Sequence, residues 1–255
     1  TSGGEVQAGT GNSGIAIIDL DTKKVEMVNL PEPRSPYGII FSPDTRTASN
    51  TDGRIALESP GTIYLGSAGN GSVNIVNLPN RKVIRTIDPP SGIGLRVWSM
   101  KKGPDGKIYL TSMGDGKLYA LDDSTGTITE TGVGGGDVTQ SVYGIAWTRD
   151  GKFAYLGNLM NPGLSNQAGS VVKVEWPSGK LVKRIENVTM PAPRDTPIVN
   201  DVEMTPDGRF LYVTDGVQGA LVKIDQETDT IVKTITVGKE PRAIIFSADG
   251  TTGYI

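Results

Sequence analysis

Residues 204–215 read Met-Thr-Pro-Asp-Gly-Arg-Phe-Leu-Tyr-Val-Thr-Asp, a tight turn followed by an apolar strand. Pro206 presets the backbone torsion φ in the turn, Asp207 can accept hydrogen bonds from nearby backbone, and Gly208 tolerates a positive φ. The residues after the turn are rich in aromatic and β-branched side chains, which favour a strand. The stretch therefore predicts a strand that starts directly after a reversal of the chain.

The same block recurs along the chain, and its spacing predicts a repeat protein. Similar turns stand at 42–44, 103–106, 148–151 and 247–250, and tyrosine strands start at Tyr64, Tyr109, Tyr155 and Tyr254. Two further apolar strands follow the tyrosine strands at Tyr64, Tyr109, Tyr155 and Tyr212 and are joined by short polar turns such as 124–126 and 227–229. The turn residues Asp207 and Asp249 are 42 residues apart. Four strands in a unit of that length are typical of a β-propeller blade.

Tyr212-Val213-Thr214-Asp215 is close to the tetrapeptide that names the YVTN β-propeller family. Residues 237–250 are similar to the inner strand of that family and to the segment that leads into it. The resemblance implies an all-β propeller of four-stranded antiparallel blades. Members of the family include surface-layer and cell-surface proteins, periplasmic proteins and relatives within redox enzyme complexes. We therefore expect a periplasmic, extracellular or cell-surface location.

The repeat covers nearly the whole chain, so we expect a single propeller domain over residues 1–255, with about five blades visible. Both ends fall within a blade, and both supply the second strand type, at 5–9 and from Gly253 onward. One interpretation is a fragment of a longer ring, such as one of about seven blades. The alternative is a five-bladed ring closed by pairing between residues 243–255 and 15–29. Two polar segments, 45–61 and 159–169, interrupt the repeat and are expected to be long loops.

Composition excludes several kinds of site. The chain has no cysteine and no histidine, so a disulfide, a Cys or His nucleophile and a cofactor bound through these residues are excluded; any other cofactor stays unassigned. The net charge of −3 argues against a nucleic-acid partner. No apolar run is long enough to span a membrane.

In a propeller, the loops that lead into the inner strands crowd one face, which we call the rim. Eight residues of the repeat fall there: Arg34, Tyr37, Arg96, Trp98, Tyr143, Arg194, Asn200 and Arg242. Guanidinium groups and aromatic rings predict a site for an anionic ligand or for the acidic surface of a partner protein. The alternative is structural, with the aromatic rings filling the channel and the arginines paired with neighbouring aspartates.

Asp201 and Glu203 alternate on one predicted inner strand. Two carboxylates there predict either a Ca²⁺ or Mg²⁺ site or a general base. The alternative is an ion pair with Lys101, Lys102 or one of the rim arginines. The sequons at Asn70 and Asn187 fit the N-glycosylation pattern and are expected in loops, and whether they carry carbohydrate is left open. The run Gly132–Gly136 is expected to be a flexible loop.

Three functions are consistent with these observations. The first is a non-catalytic extracytoplasmic binding or scaffold protein, which acts through its loop face on another protein or a cell-surface assembly. The second is a propeller subunit of a redox enzyme complex, associated with a quinone or a cytochrome. The third is a metal-dependent enzyme, similar to a lactonase or a lyase, that uses Asp201 and Glu203.

Overall fold

The computed structural model describes residues 14–18, 22–29, 36–41, 47–49, 55–57, 61–159, 168–189, 199–247 and 249–255. This part of the chain consists of strands and turns, and it includes no helix that could cross a membrane. The first strands are β1 (Gly14–Ile18), β2 (Val25–Asn29), β3 (Pro36–Phe41), β4 (Thr47–Ser49), β5 (Ile55–Leu57), β6 (Thr62–Ser67), β7 (Val73–Asn77) and β8 (Lys82–Ile87). Antiparallel strands β3, β6, β7 and β8 form sheet I.

Three more four-stranded antiparallel sheets follow in chain order. Sheet II contains β9 (Val97–Lys102), β10 (Ile108–Ser112), β11 (Lys117–Asp122) and β12 (Thr127–Gly134). Sheet III contains β13 (Val142–Trp147), β14 (Phe153–Asn158), β15 (Ser170–Glu175) and β16 (Leu181–Ile185). Sheet IV contains β17 (Val199–Met204), β18 (Phe210–Asp215), β19 (Ala220–Asp225) and β20 (Thr230–Thr236), and a final pair is β21 (Ile245–Phe246) with β22 (Gly253–Tyr254).

The four sheets are arranged as successive blades. The first strands of the sheets, β3, β9, β13 and β17, are the inner strands, and each contacts the next one along the chain. Neighbouring sheets pack face to face on apolar cores, such as Leu118 of sheet II with Ile145 and Leu156 of sheet III. Each fully buried side chain of this size stabilises the fold by about 1.5–3 kcal/mol. The predicted all-β propeller fold is confirmed.

The two ends of the described chain form separate two-stranded sheets. Strand β1 pairs with β2, and β21 pairs with β22. Val28 of β2 packs against Leu65 and Val76 of sheet I, as the outer strand of a neighbouring blade would. The five-bladed alternative requires β1 and β2 to pair with β21 and β22, and the described residues contain no such pairing.

Two predicted loops contain strands instead. Residues 45–61 include the hairpin of β4 and β5, so part of this expected long loop is paired as strands. Gly132, Val133 and Gly134 belong to β12, and Val133 is fully buried. Valine favours a strand, and the glycines are tolerated near the end of β12, where Gly134 pairs with Lys117 next to a bulge. In the second insertion, residues 160–167 lie outside the described residues.

The repeated turns lie at the end of the sheets opposite the rim. Thr148 Oγ1 donates to Asp150 Oδ1 at 2.7 Å, and the backbone amide of Lys152 donates to the same oxygen at 3.1 Å. Gly151 follows with a φ of 68°. The hydroxyl of Thr148 lowers the pKa of Asp150 below its ordinary value, because it donates to the charged form. The predicted turn chemistry is therefore present in the fold.

Candidate binding rim

Each inner strand carries a β-bulge close to the rim, where it passes the second strand of its sheet. Tyr143 is the extra residue in β13, and Tyr37 is the extra residue in β3. In β9 the pairing skips Trp98 and Ser99, which lie opposite the single residue Thr111. A bulge changes the direction in which side chains leave the strand. The predicted aromatic rim positions are therefore the bulge positions of their strands.

Strand β17 has the same wide bulge as β9. Asn200 and Asp201 lie opposite Thr214, whose hydroxyl oxygen accepts a hydrogen bond from the Asp201 amide at 2.8 Å. In β9, the Thr111 hydroxyl oxygen accepts a hydrogen bond from the Ser99 amide at 2.9 Å. The threonine thus satisfies a backbone donor that the bulge removes from the sheet.

In sheets I and III a glycine replaces this threonine. A Cβ on Gly157 would lie 2.6 Å from Val199 Cγ1, so the valine of sheet IV fills the space beside the glycine. Gly66 receives Val97 of sheet II in the same way, with a corresponding distance of 2.3 Å. A side chain at either glycine would force the neighbouring sheet away.

Two side chains of β9 reach past β13 to β17, and we call these contacts the braces. The Trp98 indole N–H donates to the backbone oxygen of Asn200 at 3.2 Å. Lys101 Nζ donates to the backbone oxygen of Val202 at 2.7 Å and also to the Glu203 carboxylate. By the spacing to the turn aspartates, Trp98 corresponds to Asn200 in the repeat. Equivalent positions of sheets II and IV are therefore joined across the inner strand of sheet III.

The ion pair of the braces includes a second carboxylate. Lys101 Nζ lies 3.2 Å from Asp201 Oδ1. Burial alone would lower the pKa of Lys101, but the Asp201 and Glu203 carboxylates outweigh it and raise the pKa above its ordinary value. Burial also raises the pKa of Glu203, although Lys101 acts in the opposite direction. The ammonium group is therefore charged at neutral pH and neutralises one of the two carboxylates.

The predicted metal site at Asp201 and Glu203 stays a prediction. The structure places the Lys101 ammonium between these carboxylates, as the ion-pair alternative describes. A divalent cation at this place would have to displace Lys101. Nowhere in the described ranges do three or more acidic residues cluster in a way that could hold a metal ion.

Among the described side chains of the rim, Trp98 and Tyr143 lie inward, whereas Arg96 and Arg242 are exposed. The rings of Trp98 and Tyr143 contact each other, with centroids 4.5 Å apart, and Tyr143 is 4% exposed. Arg96 is exposed, and within the described part of the chain its guanidinium forms no ion pair or hydrogen bond. Arg242 is also exposed, with its guanidinium 3.3 Å from Glu240.

For three predicted rim residues the structure describes only the backbone or nothing. Arg34 and Arg194 lie outside the described residues. For Tyr37 the backbone position in β3 is described, at the bulge equivalent to that of Tyr143. The structure therefore brings Trp98, Tyr143 and Asn200 together, with Arg96 on the loop directly before them.

Sequence reasoning missed the residues that fasten the rim loops. The last residue of each second strand is polar yet buried: Ser67, Ser112, Asn158 and Asp215. Ser112 Oγ accepts from the Arg96 amide at 3.3 Å, and Asn158 Oδ1 accepts from the Gln140 amide at 3.0 Å. The sequence does contain a signal for them, because a polar residue recurs at the fourth position of the four tyrosine motifs that start at Tyr64, Tyr109, Tyr155 and Tyr212.

Both predicted sequons lie in turns with an exposed asparagine. Asn70 Oδ1 accepts hydrogen bonds from the amide and the hydroxyl of Ser72, at 3.3 Å and 2.9 Å. Asn187 has a φ of 52°, and the hydroxyl of Thr189 accepts from the Gly169 amide at 3.0 Å. Both asparagine side chains face solvent, and the hydroxyl residues of both sequons are buried.

Comparison with known proteins gives a likeness of fold. No protein-family model matches the chain, and no curated protein matches it. Among solved structures, the chain is similar to Kuenenia stuttgartiensis hydrazine synthase, with a TM-score of 0.58 and 19% sequence identity. The match covers 84% of this chain and 53% of that one, so the chain spans about half the length of the matched protein. At this identity the likeness supports the propeller fold and no more.

Proposed function

We propose that residues 1–255 form one β-propeller domain of the YVTN type, which acts as a non-catalytic binding module. It works outside the cytoplasm, in the periplasm or at the cell surface. Its partner is another protein or a cell-surface assembly, which it contacts through the rim. The tetrapeptide Tyr212–Asp215 and the repeat around it support the family, and the exposed residues of the rim support the mode of binding.

The proposal rests mainly on the braces, in which Trp98 and Lys101 of β9 bind groups of β17. Lys101 uses its donors on Val202, Glu203 and Asp201, so the charged groups of this region bind each other. Because Lys101 is bound to both carboxylates, a substrate could reach either of them only by breaking this ion pair. Binding at the exposed loop face then accounts better for the arrangement than chemistry in the channel.

The chemistry of the rim favours an acidic partner surface. The Arg96 guanidinium is exposed, and the backbone amide of Arg96 donates a hydrogen bond to Ser112 Oγ, which fixes this end of the loop. A guanidinium group binds carboxylates through paired hydrogen bonds, and its preformed geometry lowers the entropy lost on binding. The buried contact of Trp98 with Tyr143 gives this loop a rigid aromatic base.

The test compares two charge reversals of exposed arginines. Arg96→Glu changes the rim, and Arg149→Glu makes the same change at the opposite end, where the Arg149 guanidinium has no ion pair within the described residues. The immobilised chain is incubated with a cell-envelope extract of the source organism at low and high salt. We expect partner binding to fall about tenfold in Arg96→Glu, equivalent to about 1.4 kcal/mol, and to be kept in Arg149→Glu.

Two results would contradict the proposal. Equal binding by Arg96→Glu, Arg149→Glu and the wild type would show that the rim is not the contact surface. Turnover of a substrate by the isolated chain would show that the module is catalytic. Circular dichroism of each variant, matched to the wild type, controls for misfolding.

A supporting subunit of a redox enzyme is a second candidate function. The observation that favours it is the likeness of fold to hydrazine synthase, an enzyme whose chain is about twice as long as the matched part. Since this chain has no cysteine or histidine, a haem would be held by a partner. Purification of the native assembly tests this candidate: a haem absorbance band that elutes with the chain supports it, and a colourless assembly argues against it.

A further inference from the structure

The amide of Asn200 is buried with one of its two polar atoms unsatisfied. Asn200 is 2% exposed, and its Nδ2 donates to the backbone oxygen of Pro241 at 2.9 Å. Its Oδ1 is buried and has no hydrogen-bond partner among the residues that the structure describes. The bond to Pro241 fixes the orientation of the amide, because a flipped side chain would set two acceptor oxygens against each other. The free atom is therefore an acceptor.

An unsatisfied buried acceptor costs about 1–3 kcal/mol, so its presence requires an explanation. Two other buried atoms in the described chain are unsatisfied, Asn74 Nδ2 and Trp147 Nε1. The Trp147 indole lies against the ring of Trp176, at 5.4 Å and nearly perpendicular, and an aromatic face can accept an N–H. Asn200 Oδ1 has no such substitute, and it lies at a bulge beside the braces.

The neighbouring residue adds further acceptors on the same side of the strand. Asp201 Oδ2 accepts from the Ile244 amide at 3.2 Å, so the side chains of Asn200 and Asp201 both reach the segment 241–244. A carboxylate oxygen and a carbonyl oxygen can each accept two hydrogen bonds. Asp201 Oδ2 and the Pro241 oxygen can therefore each accept a second hydrogen bond in this region.

The charge of the groups around Asn200 indicates which kind of hydrogen-bond donor its Oδ1 would bind. Lys101 supplies one positive charge to two carboxylates, those of Asp201 and Glu203, and the ionised group has a net charge of −1. A neutral hydroxyl would satisfy Asn200 but leave this charge. A primary ammonium group carries three N–H donors and one positive charge, so it can satisfy Asn200 Oδ1 and also offset the local negative charge.

We infer that the bulge of β17 is a binding site for a small ligand with a primary ammonium group, which donates to Asn200 Oδ1. The site lies on the inner strand, and it is distinct from the arginine surface through which a partner protein would bind. Failure of the rim proposal would leave this inference unaffected, because Arg96 plays no part in it.

The test uses methylammonium as the probe and measures thermal unfolding at constant ionic strength. Tetramethylammonium, which has the charge without the donors, and methanol, which has a donor without the charge, serve as controls. At a concentration ten times its dissociation constant, methylammonium should raise the midpoint of unfolding by about 3–6 °C. The two control compounds should not raise it.

A pair of matched variants assigns the effect to Asn200. Asn200→Leu removes the free acceptor, and Asn74→Leu makes the same change at a buried amide of sheet I, where Asn74 is 1% exposed. We expect Asn74→Leu to keep the response to methylammonium and Asn200→Leu to lose it.

Three results would overturn the inference. An equal response to tetramethylammonium would show a general salt effect, and a response kept in Asn200→Leu would place the ligand elsewhere. A crystal grown with methylammonium that shows only an ordered water at Oδ1 would identify water as the occupant. Should Asn200→Leu fail to fold, the three compounds on the wild type and the crystal still decide the question.

Discussion

Sheets I and III differ from sheets II and IV in a way that a uniform repeat would not show. The third position of the tyrosine motif is glycine in Gly66 and Gly157 but threonine in Thr111 and Thr214. The glycines receive a valine of the next sheet, whereas the threonines close a two-residue bulge. The structural repeat is therefore a pair of blades. We call sheets I and III the glycine-type sheets and sheets II and IV the threonine-type sheets.

The contacts between sheets follow the same alternation. Tyr155 of sheet III donates to Asp229 of sheet IV at 2.5 Å, and Lys173 lies 2.9 Å from the same carboxylate. Tyr64 of sheet I donates to Asp123 of sheet II in the same way. Burial raises the pKa of Tyr155, and Asp229 raises it further, so the hydroxyl stays a donor. A glycine-type sheet is thus fastened to the threonine-type sheet that follows it by a tyrosine and a turn aspartate.

The interface between sheets II and III is built from aromatic rings instead. The ring of Tyr109 lies 5.5 Å from that of Trp147 and 4.8 Å from that of Trp176, and its hydroxyl donates to Asp105 of its own sheet at 2.9 Å. The equivalent tyrosine therefore makes a polar contact between sheets in one blade type and an apolar one in the other. The tyrosine motif therefore specifies a strand, whereas the residues around each tyrosine determine which groups its ring and hydroxyl contact.

The largest expected effect comes from breaking the braces that join the two threonine-type sheets. Lys101→Met would leave the carboxylates of Asp201 and Glu203 without their cation. Removal of one partner of a fully buried ion pair costs about 3–5 kcal/mol, and since this pair is partly exposed, we expect a loss near the lower value. Denaturant unfolding measures the loss. Lys152→Met, at an exposed pair, should cost about 0–1 kcal/mol. Addition of Glu203→Gln to Lys101→Met should restore part of the loss, and no recovery would contradict the electrostatic explanation.

A smaller effect should separate the two blade types through the same substitution. Tyr155→Phe removes a hydrogen bond to the Asp229 carboxylate between sheets III and IV, and such a bond contributes about 1.5–3 kcal/mol. Tyr109→Phe removes a bond to the exposed turn of its own sheet, while its ring contacts remain, so it should cost less. Chemical unfolding of both variants makes the comparison. Equal losses would show that the two interfaces do not differ in the proposed way.

The smallest effect should be the same in sheets III and IV, because the turns that follow their inner strands share one chemistry. Hydroxyl donors lower the pKa of Asp150 and Asp207, and Ser247 lowers that of Asp249 to about 2. A carboxyl whose pKa is lower in the folded state stabilises the fold above its unfolded pKa of 3.8, and this stabilisation is lost as the pH falls through the folded pKa. Thermal unfolding between pH 5 and pH 2 should therefore show a decline that is shallower in Asp150→Asn and in Asp207→Asn, to a similar extent. A decline unchanged in both variants would assign acid sensitivity to other groups.

The sequence by itself determined the fold class and most strand positions. The turn of residues 204–208, its copies and the tyrosine strands act through local torsions and short-range hydrogen bonds, so they can be recognised one segment at a time. The sequence also identified Trp98, Tyr143 and Asn200 as equivalent positions, and it offered Lys101 as one of several possible partners for Asp201. These inferences needed only the period of the repeat.

Only the tertiary structure decided how these positions meet. The braces across β13 join residues about 100 positions apart, and the orientation of the Asn200 amide depends on Pro241, which is 41 positions away. The hairpin of β4 and β5 and the strand at Gly132–Gly134 were missed because their polar and glycine-rich sequences favour turns, and strand pairing overrides that preference. Local chemistry fixes each strand, but the contacts that form the candidate site come from packing one blade against another.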